Sequence, residues 1–282
     1  MLLLPFTPTP PLDPYIDSFL VQEDFNPHNF ANRNPVKVLP TSMIVIGIQY
    51  GKPMLRIENG LTHKMGTSGL TGLQTTPKEY VSTGSIGTII VRFKPGGLTR
   101  FTRYPVHEFQ DLNVELEHIF PLKHVALLEE QLAYASSAQE RVTIVERFFL
   151  TVLREGEEDR LIQQIAFQMI RREGKVNVEQ LVAESYVSRR TLERKFNAVI
   201  GASPKKFATI IRFQHTIRLR KSGYDYLDIV EACGYTDHAH FAKDFKAYAG
   251  STPEQFFQNE AQPELSKTFN EGESLLEQNM YQ

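Results

Sequence analysis

The apolar positions of this chain change their period along its length. Between residues 43 and 97, short β-branched runs such as MIVIGIQY (43–50) and GTIIVRFKPGG (87–97) are separated by glycine-marked turns. Ten of the 17 glycines fall between 47 and 97. Turn signals this dense between short runs predict an all-β sandwich or a small, cupin-like barrel. Residues 1–40 are proline-rich and weakly periodic, and read as a loop-heavy lead-in to that β-rich unit of 1–111. PGGLTRF ends the last strand and opens a short helix.

From about 112 the apolar residues recur three and four apart with charges between them, the helical spacing. In LEHIFPLKHVALLEEQLAYA and SAQERVTIVERFFLTVLRE, residues Leu127, Leu128, Leu132, Val145, Phe148, Phe149 and Val152 form the apolar faces of an antiparallel pair. This segment, 112–156, is expected between the β-rich unit and the C-terminal part of the chain, as a linker or dimerisation element. EEDRLIQQIAFQMIRREG (157–174) is a further amphipathic helix ended by Gly174. The tail from 258 to 282 is polar and acidic without a sustained apolar stripe, and reads as mobile.

One pattern occurs twice. SRRTLERKF (188–196) and DHAHFAKDF (237–245) share an apolar skeleton while nearly every polar residue differs. With an offset of 49, Val178 maps to Leu227, Leu181 to Val230, Ala183 to Ala232, Tyr186 to Tyr235, Leu192 to Phe241 and Phe196 to Phe245. Ser188 and Asp237 are suited to cap helix N-termini, and Gly201 and Gly250 to end them. Ser203-Pro204 and Thr252-Pro253 both read as an N-cap followed by proline at the first helical position. Each copy is therefore a helix, a tight turn and a second helix (177–184 and 188–200; 226–233 and 237–249). Ala183 and Ala232 are placed where the two helices cross, and PKKFATIIRFQHTIRLRKS (204–222) is a long helix joining the copies.

With Leu192/Phe196 and Phe241/Phe245 inward, Arg190, Glu193, Arg194 and Asn197 share the outer stripe of the first copy. The matching stripe of the second is Ala239, Ala242, Lys243 and Lys246, with His238 at its start. Such a pair of helices is a tandem helix-turn-helix, able to enter the DNA major groove. There arginine binds guanine, glutamate accepts from cytosine, and alanine touches a thymine methyl. Lys175, Arg189, Lys205, Lys206, Arg212, Arg218, Lys221 and Lys246 form a rim suited to phosphates.

Charge supports that placement. The chain carries a net −2, yet residues 171–250 hold fifteen basic against nine acidic side chains. The absence of any run of about eighteen apolar residues gives no spanning helix, so no membrane partner is expected. Cys233 is the sole cysteine, which excludes an internal disulfide and a cysteine-rich zinc site. A cytoplasmic protein fits these features.

The stretches VNVEQLVAESYVSRRTLERKFNAVIGASPKKF and YLDIVEACGYTDHAHFAKDFKAYAGSTPEQF resemble the DNA-binding domain of the arabinose-regulator (AraC/XylS) family of bacterial transcription factors. The resemblance covers 157–257. It implies an α+β chain, with an N-terminal β-rich sensing or dimerising domain ahead of helices and the all-α tandem helix-turn-helix. It implies base contacts from Arg190, Glu193 and Arg194 in the first reading helix and from His238, Ala239 and Lys243 in the second. Ala239 stands where many members carry a longer polar side chain, which argues against strong hydrogen-bonded readout there. The implied partners are double-stranded DNA, RNA polymerase, a small-molecule effector and a second copy of the chain, with no cofactor and no catalytic residue. IIVRFKPGGLTRF is similar to a stretch in uncharacterised N-terminal domains of the same family and names no ligand.

Other features are weaker. VHEFQ (106–110) lacks the second histidine of a zinc-protease motif, and GTSGLTG (66–72) lacks the lysine and hydroxyl of a phosphate loop. His238 and His240, two apart on a helix, diverge and make a poor metal pair. His118 and His124 have no carboxylates at a telling interval. A DNA-repair alkyl-transfer protein would need a nucleophilic cysteine besides zinc ligands, and Cys233 reads as a small core residue. The alternative of a metal-dependent small-barrel enzyme finds no clustered His/Glu set in the strands.

Overall fold

The computed structural model describes residues 2–26, 28, 35–156 and 158–258. Its β-rich unit is a sandwich of two antiparallel sheets. The larger comprises β1 (Leu2–Phe6), β2 (Ile16–Asp24), β4 (Val45–Gln49), β7 (Ser68–Thr71), β9 (Ile86–Phe93) and β10 (Asn113–Glu115), in the spatial order β1-β2-β9-β4-β7-β10. The smaller comprises β3 (Val36–Val38), β5 (Met54–Glu58), β6 (Leu61–Lys64) and β8 (Lys78–Ser82), in the order β3-β8-β5-β6.

The loop-heavy reading of residues 1–40 is corrected by β2, which lies inside the larger sheet between β1 and β9. Its sequence IDSFLVQED shows no clean alternation because both of its faces are covered. Phe19 and Val21 join the helix-facing core, while Ser18, Leu20 and Gln22 are buried toward the other sheet. The sheet also runs past the expected boundary at 111, since β10 pairs with β7.

Two helices, α1 (Leu122–Tyr134) and α2 (Ala138–Val152), cover the outer face of the larger sheet. Phe93 of β9 meets Phe149 of α2 edge-on at 5.7 Å, and Phe149 meets Phe101 at 5.1 Å. Ser137 caps α2 by accepting from the Glu140 amide, while the Glu140 carboxylate accepts from the Ser136 amide and hydroxyl. That reciprocal pattern fixes the tight turn between the helices. Leu128, Leu132, Val145, Phe148 and Phe149 are buried as expected, but Leu127 is 51% exposed and leaves the apolar face. The pair does not separate the β unit from the C-terminal helices, which reach the sandwich directly.

Those helices are α3 (Arg160–Arg171), α4 (Val178–Ser185), α5 (Arg189–Ile200), α6 (Pro204–Lys221), α7 (Tyr226–Ala232), α8 (His238–Ala249) and α9 (Pro253–Gln258). Helix α6 is apolar on two faces. Phe207, Ala208 and Ile211 pack with α3 and α5, whereas Ile210, Phe213 and Ile217 pack with α7 and α8. Every repeated cap is present: Ser188, Ser203 and Asp237 each accept an amide of the first turn, and Gly201 and Gly250 end their helices with φ of 98° and 76°. Thr252 and Gln255 exchange bonds as a capping box before α9. The tail beyond 258 lies outside the described residues.

The repeat has two registers. The reading helices follow the offset of 49, with Leu192, Phe196, Phe241 and Phe245 all fully buried. The helices before them follow 48: the N-caps are Asn177 and Asp225, and the buried pairs are Leu181/Ile229 and Ser185/Cys233. The expected pairs Val178/Leu227, Leu181/Val230 and Ala183/Ala232 are therefore out by one, and Leu227 is 74% exposed. Ser185 and Cys233, not the alanines, are the small residues buried there. The second copy absorbs an extra residue in its turn. Tyr186 and Gly234 hold the left-handed position, at φ of 55° and 67°, while Tyr235 folds back into the core.

Tyr186 thus occupies with a side chain, 96% exposed, a conformation that glycine takes in the other copy. Left-handed backbone costs a non-glycine residue about 1–2 kcal/mol, against about 0.5–1 kcal/mol for glycine's extra freedom when unfolded. Tyr186→Gly should therefore stabilise the chain by roughly 0.5–1 kcal/mol. A lower urea midpoint at unchanged m-value would contradict this account of the turn.

Candidate nucleic-acid interface

The first turn of α5 is open to solvent. Arg190 and Arg194 are exposed there, one helical turn apart and backed by Leu192 and Phe196. Glu193 lies on the same stripe but is engaged, since Arg189 Nε meets its carboxylate at 3.0 Å. The other arm of Arg189 reaches Glu179 of α4 at 2.5 Å. These exposed pairs contribute little to stability, but they set the guanidinium across the mouth of the helix-turn-helix. Asn197 turns back on its own helix, its side-chain amide donating to the Glu193 carbonyl at 2.8 Å.

The first turn of α8 presents His238, Ala239 and Lys243, all exposed, with Lys246 one turn further on. The His238 ring leans edge-on against Tyr226 and Phe241, at 6.1 and 5.6 Å between centroids. His240 turns instead toward Asp244, at 3.6 Å. Lys205 is exposed and Lys206 half-buried at the start of α6, and Lys175 is exposed beside Glu173 at 3.4 Å.

Arg212 departs from the expected phosphate rim. It is half-buried, pairs with Asp244 of α8 at 3.2 Å and lies over the Tyr235 ring at 4.5 Å. It therefore ties α8 to α6. Nothing in the sequence separated it from its exposed basic neighbours, because the partners lie 23 and 32 positions away. Cys233 is sealed in the second core against the Thr216 hydroxyl, where burial pushes its thiol up, and it is not placed to act as a nucleophile.

Both reading helices point the same end at the sandwich. At Gly201, which ends α5, an added Cβ would lie 2.9 Å from the Val106 side chain. At the end of α8, Lys37 of β3 donates to the Ala249 carbonyl at 3.0 Å and Pro77 borders Gly250. A lysine at a helix C-terminus also complements the helix dipole. Their C-terminal ends are thus seated while their first turns stand free. The VHEFQ stretch is this seat: its short helix Val106–Phe109 packs on α5. Lys37 was missed because its partner is 212 residues distant and no local pattern marks it. Among the described residues, one group able to gather around a metal is Glu115, Glu117 and His118, all exposed on the sandwich surface.

These contacts separate roles that composition merges. Arg212→Ala should lower stability by about 1–3 kcal/mol, because half-buried Asp244 is left with His240 at 3.6 Å and Tyr235 loses the guanidinium over its ring. It should leave the salt dependence of DNA binding unchanged. A reduced salt slope at unaltered stability would return Arg212 to the phosphate rim.

Residues 181–259 match the family described as helix-turn-helix domain, and residues 5–115 match a domain of unknown function, DUF6597. The HTH-type transcriptional regulator MtrA of Neisseria gonorrhoeae is 30% identical over 106 residues, which cover 37% of this chain and 35% of MtrA. An uncharacterized HTH-type transcriptional regulator of Haemophilus influenzae is 37% identical over 81 residues, covering 28% and 27%. The chain thus spans about a third of the length of the curated relatives it matches. Among solved structures, ToxT from Vibrio cholerae superposes loosely, with a TM-score of 0.47 at 13% identity over 85% of this chain and 97% of ToxT. The DNA-binding domain of AdpA, in complex with a target DNA, gives 0.32 at 27% identity over 35% of this chain and 90% of that domain. The sequence match, the paired motifs and the helix that joins them identify the C-terminal unit as an AraC/XylS-type helix-turn-helix domain.

Proposed function

We propose that the whole chain is a sequence-specific DNA-binding transcription regulator of the AraC/XylS type. The observation that carries this reading is the pair of reading helices held on α6, each with its first turn exposed and its last turn seated. In this reading α5 and α8 enter successive major grooves on one face of the duplex, about 10 base pairs apart. Arg190, Glu193 and Arg194 read bases from α5, and His238, Ala239 and Lys243 from α8. Arg189 and Glu193 hold each other in the free chain, so their engagement with DNA exchanges one ion pair for contacts to phosphate and base. Lys175, Arg189, Lys205, Lys206 and Lys246 neutralise phosphates. Because the two stripes differ, the site for one chain is asymmetric.

The sandwich supplies regulation, with a small-molecule effector held between its sheets. The chain works in the cytoplasm beside RNA polymerase. A second copy docks through α1, where Leu122, Leu127 and the 84%-exposed Tyr134 stand outward. No helix among the described residues is long and apolar enough to cross a membrane.

The test is selection of a binding site, then titration against it at several salt concentrations. Arg190→Ala or Arg194→Ala should cost about 1–3 kcal/mol at the selected site and relax base preference there. Lys205→Ala should weaken all sequences alike and reduce the salt slope by about one. An unchanged selected motif for Arg194→Ala would remove that residue from the reading set, and salt-independent binding would end the whole assignment.

The dimer makes a separate prediction. Leu127→Glu combined with Tyr134→Glu should abolish self-association in sedimentation at tens of micromolar while sparing the fold. A wild-type chain that stays monomeric there, with and without DNA, would exclude this docking mode.

A further inference from the structure

Three arginines stand in the first two turns of α5, and one of them is held. Arg189, the first residue of the helix, gives its Nε to the Glu193 carboxylate at 3.0 Å and its Nη1 to the Glu179 carboxylate of α4 at 2.5 Å. Among the described residues, neither Arg190 nor Arg194 pairs with a carboxylate. Glu179 and Glu193 are thus committed to the same guanidinium, across the mouth of the first helix-turn-helix.

The second motif supplies an internal comparison. Its reading helix follows an offset of 49 and the helix before it an offset of 48, so Arg189 corresponds to His238, Glu193 to Ala242 and Glu179 to Leu227. The three members of the cluster are replaced together. His238 leans on Tyr226 and Phe241 instead, and exposed Leu227 stands where Glu179 reaches across. Among the described residues, Lys243 and Lys246 have no carboxylate partner, so the cations of the second reading helix are open on any DNA.

Two carboxylates beside the groove are repelled by the phosphates of a bound duplex. Arg189 offsets that repulsion while it holds them both. The hold is exchangeable, because the three side chains are 58%, 66% and 42% exposed for Arg189, Glu179 and Glu193, and exposed pairs are weak.

We infer that Glu179, Arg189 and Glu193 form a conditional phosphate contact, in which Arg189 reaches the DNA backbone only where Glu193 has found a hydrogen-bond donor on a base. This rests on the regulator reading, with the first turn of α5 in the major groove. The donor that suits a carboxylate there is the amino group of cytosine. When that group donates to Glu193 it replaces Arg189 Nε, and the guanidinium is left with Glu179 alone. A single exposed pair then yields to a phosphate. Over thymine, which presents an acceptor and a methyl group, Glu193 keeps Arg189 and the phosphate contact is not made. A wrong base therefore loses two contacts. Glu179 is a positioning residue, which keeps Arg189 from the backbone until the base is right.

The experiment uses the full chain and the DNA site it selects from a random pool. Glu193→Gln first locates the pair read by that residue, the one at which its preference changes, expected to be C·G. Affinity is then titrated against salt on the selected site and on the same site with thymine replacing that cytosine. The wild-type chain should show the steeper slope of log affinity against log salt on the cytosine site, by about 0.9 for one phosphate. Arg189→Ala should show equal slopes, and its loss of affinity from cytosine to thymine should be smaller than that of the wild type by about threefold or more. Glu193→Gln frees Arg189 on any sequence and should also give equal slopes, while Glu179→Gln should reduce the difference. Equal slopes in a selectively binding wild-type chain, or a difference that persists in Arg189→Ala, would overturn this inference alone. So would a Glu193→Gln chain that selects the same motif, or changes it at a pair other than C·G. A chain that binds no DNA, or binds it without salt dependence, would overturn the regulator reading and this inference with it.

Discussion

The two apolar faces of α6 set the relation between everything outside them. One face is committed to α3 and α5 through Phe207, Ala208 and Ile211, the other to α7 and α8 through Ile210, Phe213 and Ile217. A helix buried on two sides cannot rotate to improve one contact without losing the other. The spacing of the two reading helices is therefore a property of packing. The polar residues on them are left free to vary, which is how two copies share a skeleton and carry different outer faces.

The sandwich adds a second constraint at the other end of each reading helix. Val106 against Gly201, and Lys37 with Pro77 against the end of α8, hold both helices by their C-termini. Part of this seat is apolar and continuous with the core of the first motif and the large sheet. The part at α8 is narrower: Lys37 donates to the Ala249 carbonyl, Pro77 borders Gly250 and Leu39 joins the core of the second motif. The first motif thus shares an apolar core with the sandwich, whereas the second meets it through Lys37, Leu39 and Pro77.

Two stretches that resemble catalytic motifs find structural employment. VHEFQ forms the short helix that packs on α5, and GTSGLTG supplies β7, where a Cβ at Gly69 would lie 3.3 Å from the Val114 carbonyl oxygen of the next strand. Both draw attention in the sequence for residues whose use is steric. Glycine in a central strand weakens the sheet unless something approaches closely or a space is needed, and at Gly47 the space is what remains.

What the sequence determined by itself is the local code: caps, helix ends, turn glycines and the inward pairs Leu192/Phe196 and Phe241/Phe245, because each depends on residues within one or two helical turns. The same locality carried the outer stripe, with Arg190 and Arg194 open in the structure. It did not carry β2, whose two covered faces erase the alternation by which strands are recognised. It misplaced the first helices of the repeat by one residue, because Tyr186 and Tyr235 match as letters while Gly234, not Tyr235, takes the left-handed turn. Arg212 and Lys37 were decided by tertiary structure alone. A basic side chain reads the same in sequence whether it faces solvent, Asp244 or the end of a helix, and only the packing of distant segments chooses among them.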